Sequence, residues 1–166
     1  MFIWKYIDIP QDDIEKIQQE FLDRLPNNGL FFQNIKINTT HILGLRIAVT
    51  VLIQMPPMSG SDNYNIHSDY GSPDRSPLAI NIPLQNCAES ITKFWKASKP
   101  AEIRQTPEGT PYRYINVKDC EQISELKFIK PFIFDTSIPH NVVNPQNVWR
   151  RGISLRFLDN PSHLIK

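Results

Sequence analysis

Fourteen prolines stand against six glycines in this 166-residue chain. Each proline fixes its own φ and removes an amide donor, so long helices are excluded over most of the sequence and extended segments broken by turns are favoured. The one convincing helix falls at residues 11–25, where Ile14, Ile17, Phe21 and Leu25 recur at three- and four-residue spacing and share a face. Asp12, Asp13 and Glu15 suit the positive end of its dipole, and Pro26-Asn27-Asn28-Gly29 supplies a stop.

Beyond the helix, Leu45, Ile47, Val49, Val51 and Ile53 alternate with Arg46, Ala48, Thr50, Leu52 and Gln54, the two-residue period of a half-buried strand. Further strands are expected at 30–37, 78–82, 91–96, 112–117, 128–134 and 148–157, separated by turn-rich stretches at 55–65 and 71–77. Residues 97–111 lack periodicity and read as a long loop or lid. Short strands without crossover helices predict a mainly β fold, an antiparallel sandwich or jelly roll, with the N-terminal helix flanking one sheet. The length fits a single domain over residues 1–166.

Composition narrows the function classes. With 40% apolar and 21% charged residues the chain is of ordinary globular type. Net charge is +1 and the cations are scattered, so nothing forms a nucleic-acid footprint. Lys5 and Asp8 interrupt the apolar start before a signal or spanning segment could form, so no membrane association is expected. Cys87 and Cys120 show no CxxC spacing and are expected to be buried free thiols in a reduced, cytoplasmic compartment. Cys87 lacks the orienting groups that a nucleophile paired with His140 would need.

The chemistry concentrates in three places. In Asn65-Ile66-His67-Ser68-Asp69-Tyr70 an imidazole and a carboxylate lie two residues apart, which on extended backbone points both to one face. Alone, His-x-Asp is a low-specificity match. The apolar strand Phe132-Ile133-Phe134 then delivers His140 just past a proline turn, where a third metal ligand would belong. Two imidazoles and a carboxylate form a facial triad that leaves three positions of Fe(II) open. In the third segment, residues 149–157, Arg150, Gly152, Ser154 and Arg156 share one strand face while Arg151, Ile153, Leu155 and Phe157 share the other. Guanidinium groups on a polar strand face suit a carboxylate ligand. His41 and His163 have no carboxylate at ligand spacing and receive no role.

The order His-x-Asp, distant His, then Arg about ten residues later resembles the 2-oxoglutarate/Fe(II)-dependent oxygenase superfamily over roughly residues 67–157. The runs Leu78-Ala79-Ile80-Asn81-Ile82-Pro83-Leu84, Thr92-Lys93-Phe94-Trp95 and His140-Asn141-Val142-Val143-Asn144 are similar to small members of the aspartyl- and prolyl-hydroxylase type, which also occur in phages. The resemblance implies a double-stranded β-helix, Fe(II) held by His67, Asp69 and His140, and 2-oxoglutarate held by Arg150 with Arg156 or Ser154 assisting and Arg151 in reserve. It also implies hydroxylation of a substrate with decarboxylation of 2-oxoglutarate to succinate. One departure concerns the co-substrate pocket, where Gly152 stands two residues after Arg150 in place of the Ser or Thr of many members.

A different reading of the same fold is a non-catalytic cupin-like jelly-roll binding module, and a metal-dependent isomerase would need more ligands than these three. The substrate class stays open between a small molecule and a protein side chain, and the oligomeric state is not legible. Asn81 is expected inside the barrel, and Tyr64, Tyr70, Trp95, Tyr112 and Tyr114 are candidates for a substrate mouth.

Overall fold

The computed structural model describes every residue except 62–64. In chain order its elements are β1 (Trp4–Tyr6), α1 (Gln11–Leu22), β2 (Phe32–Asn34), β3 (His41–Ile42), β4 (Leu45–Met55), β5 (His67–Asp69), β6 (Leu78–Gln85), β7 (Ile91–Ala97), β8 (Glu102–Gln105), β9 (Pro111–Tyr114), β10 (Cys120–Lys127), β11 (Phe132–Asp135), β12 (His140–Val143) and β13 (Arg150–Phe157). The helix ends three residues before the expected Leu25, which precedes Pro26 and is therefore biased away from helical backbone. Leu25 still packs on the core that the helix covers.

The strands form two antiparallel sheets. The larger runs β1-β11-β6-β13-β4-β2, with β3 also on β4, and the smaller runs β10-β7-β12-β5-β9-β8. From β4 to β7 the chain changes sheet with every strand, and it does so again from β10 to β13. The central quartets are thus β4-β13-β6-β11 and β5-β12-β7-β10, the strand order of a jelly roll, or double-stranded β-helix.

The outer face of the larger sheet is closed by α1. Ile17 and Phe21, both fully buried, pack with Leu52, Ile80, Ile82, Ile153, Leu155 and Phe157. Between the sheets Ala79, Phe94, Phe132 and Phe134 form a second cluster. Because strand parity sends Ile153 and Leu155 outward under the helix, Gly152, Ser154 and Arg156 point inward. Phe21→Ala is expected to lower the unfolding free energy by about 3–5 kcal/mol through loss of a buried ring. Urea denaturation measures this, and Fe(II) affinity should be unchanged because Phe21 lies on the far side of the sheet from the interior.

Two bulges alter the simple alternation. Arg156 pairs with Val49 but Phe157 with Ile47, so Ala48 is an extra residue and the parity of β4 changes there. Leu45 and Ile47 join the helix-covered core, whereas Val49 and Val51 face the cleft; the expected single face for Leu45 to Ile53 is divided. On the other side of β13, Arg151 pairs with Gln85 and Gly152 with Pro83, leaving Leu84 as the extra residue of β6.

The expected loop at 97–111 contains β8, which pairs with β9 as a hairpin closed by Thr106 N–H to the Thr110 carbonyl at 2.9 Å. All four residues of β8 are exposed, so it shows no apolar alternation. Gly109 takes φ +84° in this turn. Among the described residues no helix is long and apolar enough to cross a membrane.

Candidate metal centre and anion pocket

His67 and Asp69 lie two residues apart on β5, and His140 opens β12 directly opposite His67 in the register. One ligand atom from each of the three residues lies within 4.8 Å of the others, the spacing of donors around a single ion. The Nδ1 atoms of His67 and His140 each lie 2.8 Å from a carbonyl oxygen, of Asn65 and Ile138 respectively. A carbonyl only accepts, so Nδ1 carries the proton in both rings and each Nε2 is left as a ligand lone pair. Asn65 takes φ +60°, a backbone state that asparagine tolerates well, to aim its carbonyl.

Asp69 is fixed from two sides. Its amide donates to the Thr136 carbonyl at 2.9 Å, and Oδ2 accepts from Arg156 Nη2 at 2.9 Å. Burial opposes ionisation of the carboxyl, but Arg156, followed by His140 and His67, outweighs it and holds Asp69 below the usual carboxylate range. Arg156 also donates through Nη1 to Ser154 Oγ at 2.6 Å, so two of the candidate co-substrate residues are engaged with each other, and one of them with Asp69.

Burial, reinforced by the neighbouring His67, pushes the His140 imidazole down to about 4, despite the opposing pull of Asp69. The neutral form that binds metals therefore persists in mild acid. The unfolded chain accepts the proton near its ordinary value of 6.5, which the folded chain refuses until about 4. Between these limits the unfolded state binds more protons, so stability falls as pH falls. The metal-free wild type is expected to lose unfolding free energy between pH 7 and 5, with a smaller loss in His140→Gln, both read by urea denaturation.

Arg150 is 1% exposed, yet no hydrogen bond or ion pair reaches it among the described residues, and its Nε and Nη1 are buried without partners. Its guanidinium carbon lies 4.7 Å from the Phe128 ring centroid. Burial pushes the guanidinium pKa down. Gly152 makes this placement possible: a Cβ there would stand 2.7 Å from Phe128 Cε1 and 3.1 Å from Arg150 Cζ and Nη1. Gly152, which stands where many members of the superfamily it resembles carry Ser or Thr, is thus the residue that admits the folded-back guanidinium. Arg151 points the other way, bonding the side-chain oxygens of Gln54 at 2.9 Å and Gln85 at 2.8 Å.

A cavity of about 270 Å³ lies between the sheets, lined by His67, Asp69, His140, Arg156, Asn81 and Thr92 among others. Asn81 faces inward, between Ile80 and Ile82 on the helix side. Thr92 and Phe128 carry no site role in the sequence; the register of β7 against β12 turns Thr92 inward, and the Phe128 amide is held by the Ser90 carbonyl at 3.1 Å. Outside this cavity an open cleft of about 850 Å³ shares His67, Asp69 and Arg156. Tyr70 and Tyr112 line it together with Phe31 and Phe32. Trp95 instead packs with Ile66 and Ile115, Tyr114 lies under Arg104, and Tyr64 falls outside the described residues. Cys87 is buried as expected, but Cys120 is only half-buried, being at the start of the outer strand β10.

No family model matches the chain and no curated protein matches it. Among solved structures, E. coli ycfD aligns over 72% of this chain and 28% of its own, with 12% identity and a TM-score of 0.41. EvdMO1 aligns over 96% of this chain and 48% of its own, with 13% identity and a TM-score of 0.41. A Pseudomonas putida prolyl-4-hydroxylase aligns over 93% and 67%, with 17% identity and a TM-score of 0.34. The chain therefore spans less than half the length of the first two.

Proposed function

We propose that residues 1–166 form one catalytic unit, a 2-oxoglutarate- and Fe(II)-dependent dioxygenase that hydroxylates a substrate held in the open cleft. The observation that carries this reading is the Arg150 guanidinium, buried and without a counter-ion in the same barrel as the His67, Asp69 and His140 cluster. A buried charge without a partner is expensive, and a carboxylate ligand offsets that cost. Two imidazoles and one carboxylate match the donor set of a facial Fe(II) site and leave room for a bidentate ligand.

In this reading Nε2 of each histidine and a carboxylate oxygen of Asp69 hold the metal. Arg156 keeps Asp69 ionised and oriented through Oδ2. Arg150 grips the distal carboxylate of 2-oxoglutarate, with Ser154 assisting from the same strand face. When bound, Fe(II) and 2-oxoglutarate supply the oxidation: one oxygen atom of O2 enters succinate as CO2 leaves, and the other enters a C–H bond of the substrate. A reduced cytoplasmic setting, where Fe(II) and free thiols persist, suits this chemistry.

Incubating the Fe(II)-loaded protein with 2-oxoglutarate under air tests the reading. Slow formation of succinate without any other substrate is expected, as is its loss in Asp69→Ala. Metal-loaded protein that neither binds 2-oxoglutarate at millimolar concentration nor forms succinate would instead be a cupin-like binding module.

A further inference from the structure

The smaller sheet ends on β8, and no strand follows it on that side among the described residues. The direction of its backbone groups follows from the bonds around it. Ile115 donates its N–H to the Ile66 carbonyl at 3.0 Å, so along β9 the alternate residue Arg113 bonds toward β5 while Tyr112 and Tyr114 bond toward β8. At the hairpin end Thr106 donates to the Thr110 carbonyl at 2.9 Å, which gives the same phase. Glu102 and Arg104, opposite Tyr114 and Tyr112, therefore bond to β9, and Ile103 and Gln105 aim N–H and C=O outward from the sheet edge.

Such an edge is a template for another strand, and proteins usually blunt it with a bulge, a proline or charged side chains. Strand β8 pairs with β9 without a register shift and contains no proline. Its two charges are of opposite sign: Glu102 and Arg104 share one face and meet at 2.9 Å. Ile103, on the other face, is 61% exposed. A two-fold axis through Ile103 sets its outward N–H and C=O against those of the same residue in a second copy. Glu102 then lies opposite the partner's Arg104, and Arg104 opposite the partner's Glu102. Moving the axis one residue either way opposes Arg104 to Arg104 or Glu102 to Glu102, and directly opposed like charges are destabilising. One antiparallel register is thereby selected.

We propose that β8 pairs with β8 of a second copy of this chain, joining the two smaller sheets into one. Directly opposed residues share a face. Arg104 is opposite Tyr112, which is opposite Asp69, so the new charge pairs lie on the face that carries the metal cluster, and both clefts open on the same side of the joined sheet. The two copies of β5 stand five inter-strand spacings apart, about 24 Å. Four residues on each side cover well under the roughly 1,200 Å² of a stable interface, so the dimer forms and dissociates readily.

Sedimentation equilibrium of the wild type from micromolar to millimolar concentration tests it, and a reversible, concentration-dependent dimer is expected. Ile103→Pro removes an N–H that β9 does not use, so this variant should keep the wild-type circular dichroism spectrum yet stay monomeric throughout. Glu102→Arg and Arg104→Glu each place like charges across the axis, and each is expected to raise the dimer dissociation constant roughly tenfold or more. An equimolar mixture of these two variants should dimerise at least as well as wild type, because an all-positive strand then faces an all-negative one. Mixing would not repair a loss of fold in either variant. Wild type that is monomeric at millimolar concentration, Ile103→Pro that still dimerises, or a mixture that associates no better than its two components would overturn the proposal.

Discussion

Replacing His140 with alanine is expected to reduce Fe(II) affinity more than roughly 100-fold, beyond what loss of an outer-shell partner causes. Its Nε2 is one of three donors within 4.8 Å of one another, and no other His, Cys, Asp or Glu joins that cluster among the described residues. A water molecule filling the vacated position is a weaker and less fixed donor than an imidazole held in place by its Nδ1–H bond to the Ile138 carbonyl at 2.8 Å. Asp69→Ala should be at least as damaging, and it also strands Arg156, 12% exposed in its side chain, without its anionic partner. Removing one member of such a pair leaves an uncompensated charge. His67→Ala completes the set. Equilibrium Fe(II) titration with circular dichroism separates metal loss from unfolding, and wild-type affinity in any of the three variants would remove that residue from the site.

Arg150→Ala is expected to cost about 2–5 kcal/mol of 2-oxoglutarate binding, the loss for truncating one partner of a buried charge pair. Arg150→Lys should rescue poorly, since a point-charge ammonium does not reproduce a planar two-donor fork. Fe(II) affinity should be intact in both, because Arg150 touches none of the three ligands. Arg151→Ala should change co-substrate affinity little, its guanidinium being held on the outer face by Gln54 and Gln85. Gly152→Ala should behave like Arg150→Ala, because the added methyl group displaces either Phe128 or the guanidinium. Titrating 2-oxoglutarate into the four variants decides the matter. Normal binding by Arg150→Ala with none by Arg151→Ala would place the opposite face of β13 toward the ligand.

The fold class was legible because proline spacing and two-residue alternation are local signals, and the shared face of His67 and Asp69 followed from equally local geometry, whereas His140 reaches them only through the pairing of β12 with β5. His67 and Asp69 share a face on any extended backbone, and Arg150, Gly152, Ser154 and Arg156 share one along β13. What was illegible depends on partners distant in the chain. The extra residues Ala48 and Leu84 are defined only by their opposing strands, so the division of β4 between the helix-covered core and the cleft leaves no trace in its alternation. Strand β8 buries nothing and so shows no alternation. Phe128 lies beyond β10 yet roofs Arg150, and only the register of β7 against β12 brings Thr92 to the inner cavity. Arg156 reads in the sequence as a twin of Arg150; in three dimensions one grips the Asp69 carboxylate and the other lies over the Phe128 ring with no anion beside it among the described residues.

Anaerobic addition of Fe(II) and then 2-oxoglutarate to the metal-free protein, followed in the visible spectrum, addresses the central claim most directly. The account predicts a weak charge-transfer band that appears only when both are present, saturates at one equivalent of each, and is absent in Asp69→Ala. In Arg150→Ala it should appear only at much higher 2-oxoglutarate concentration. Stoichiometric Fe(II) binding with no new band at saturating 2-oxoglutarate would contradict it.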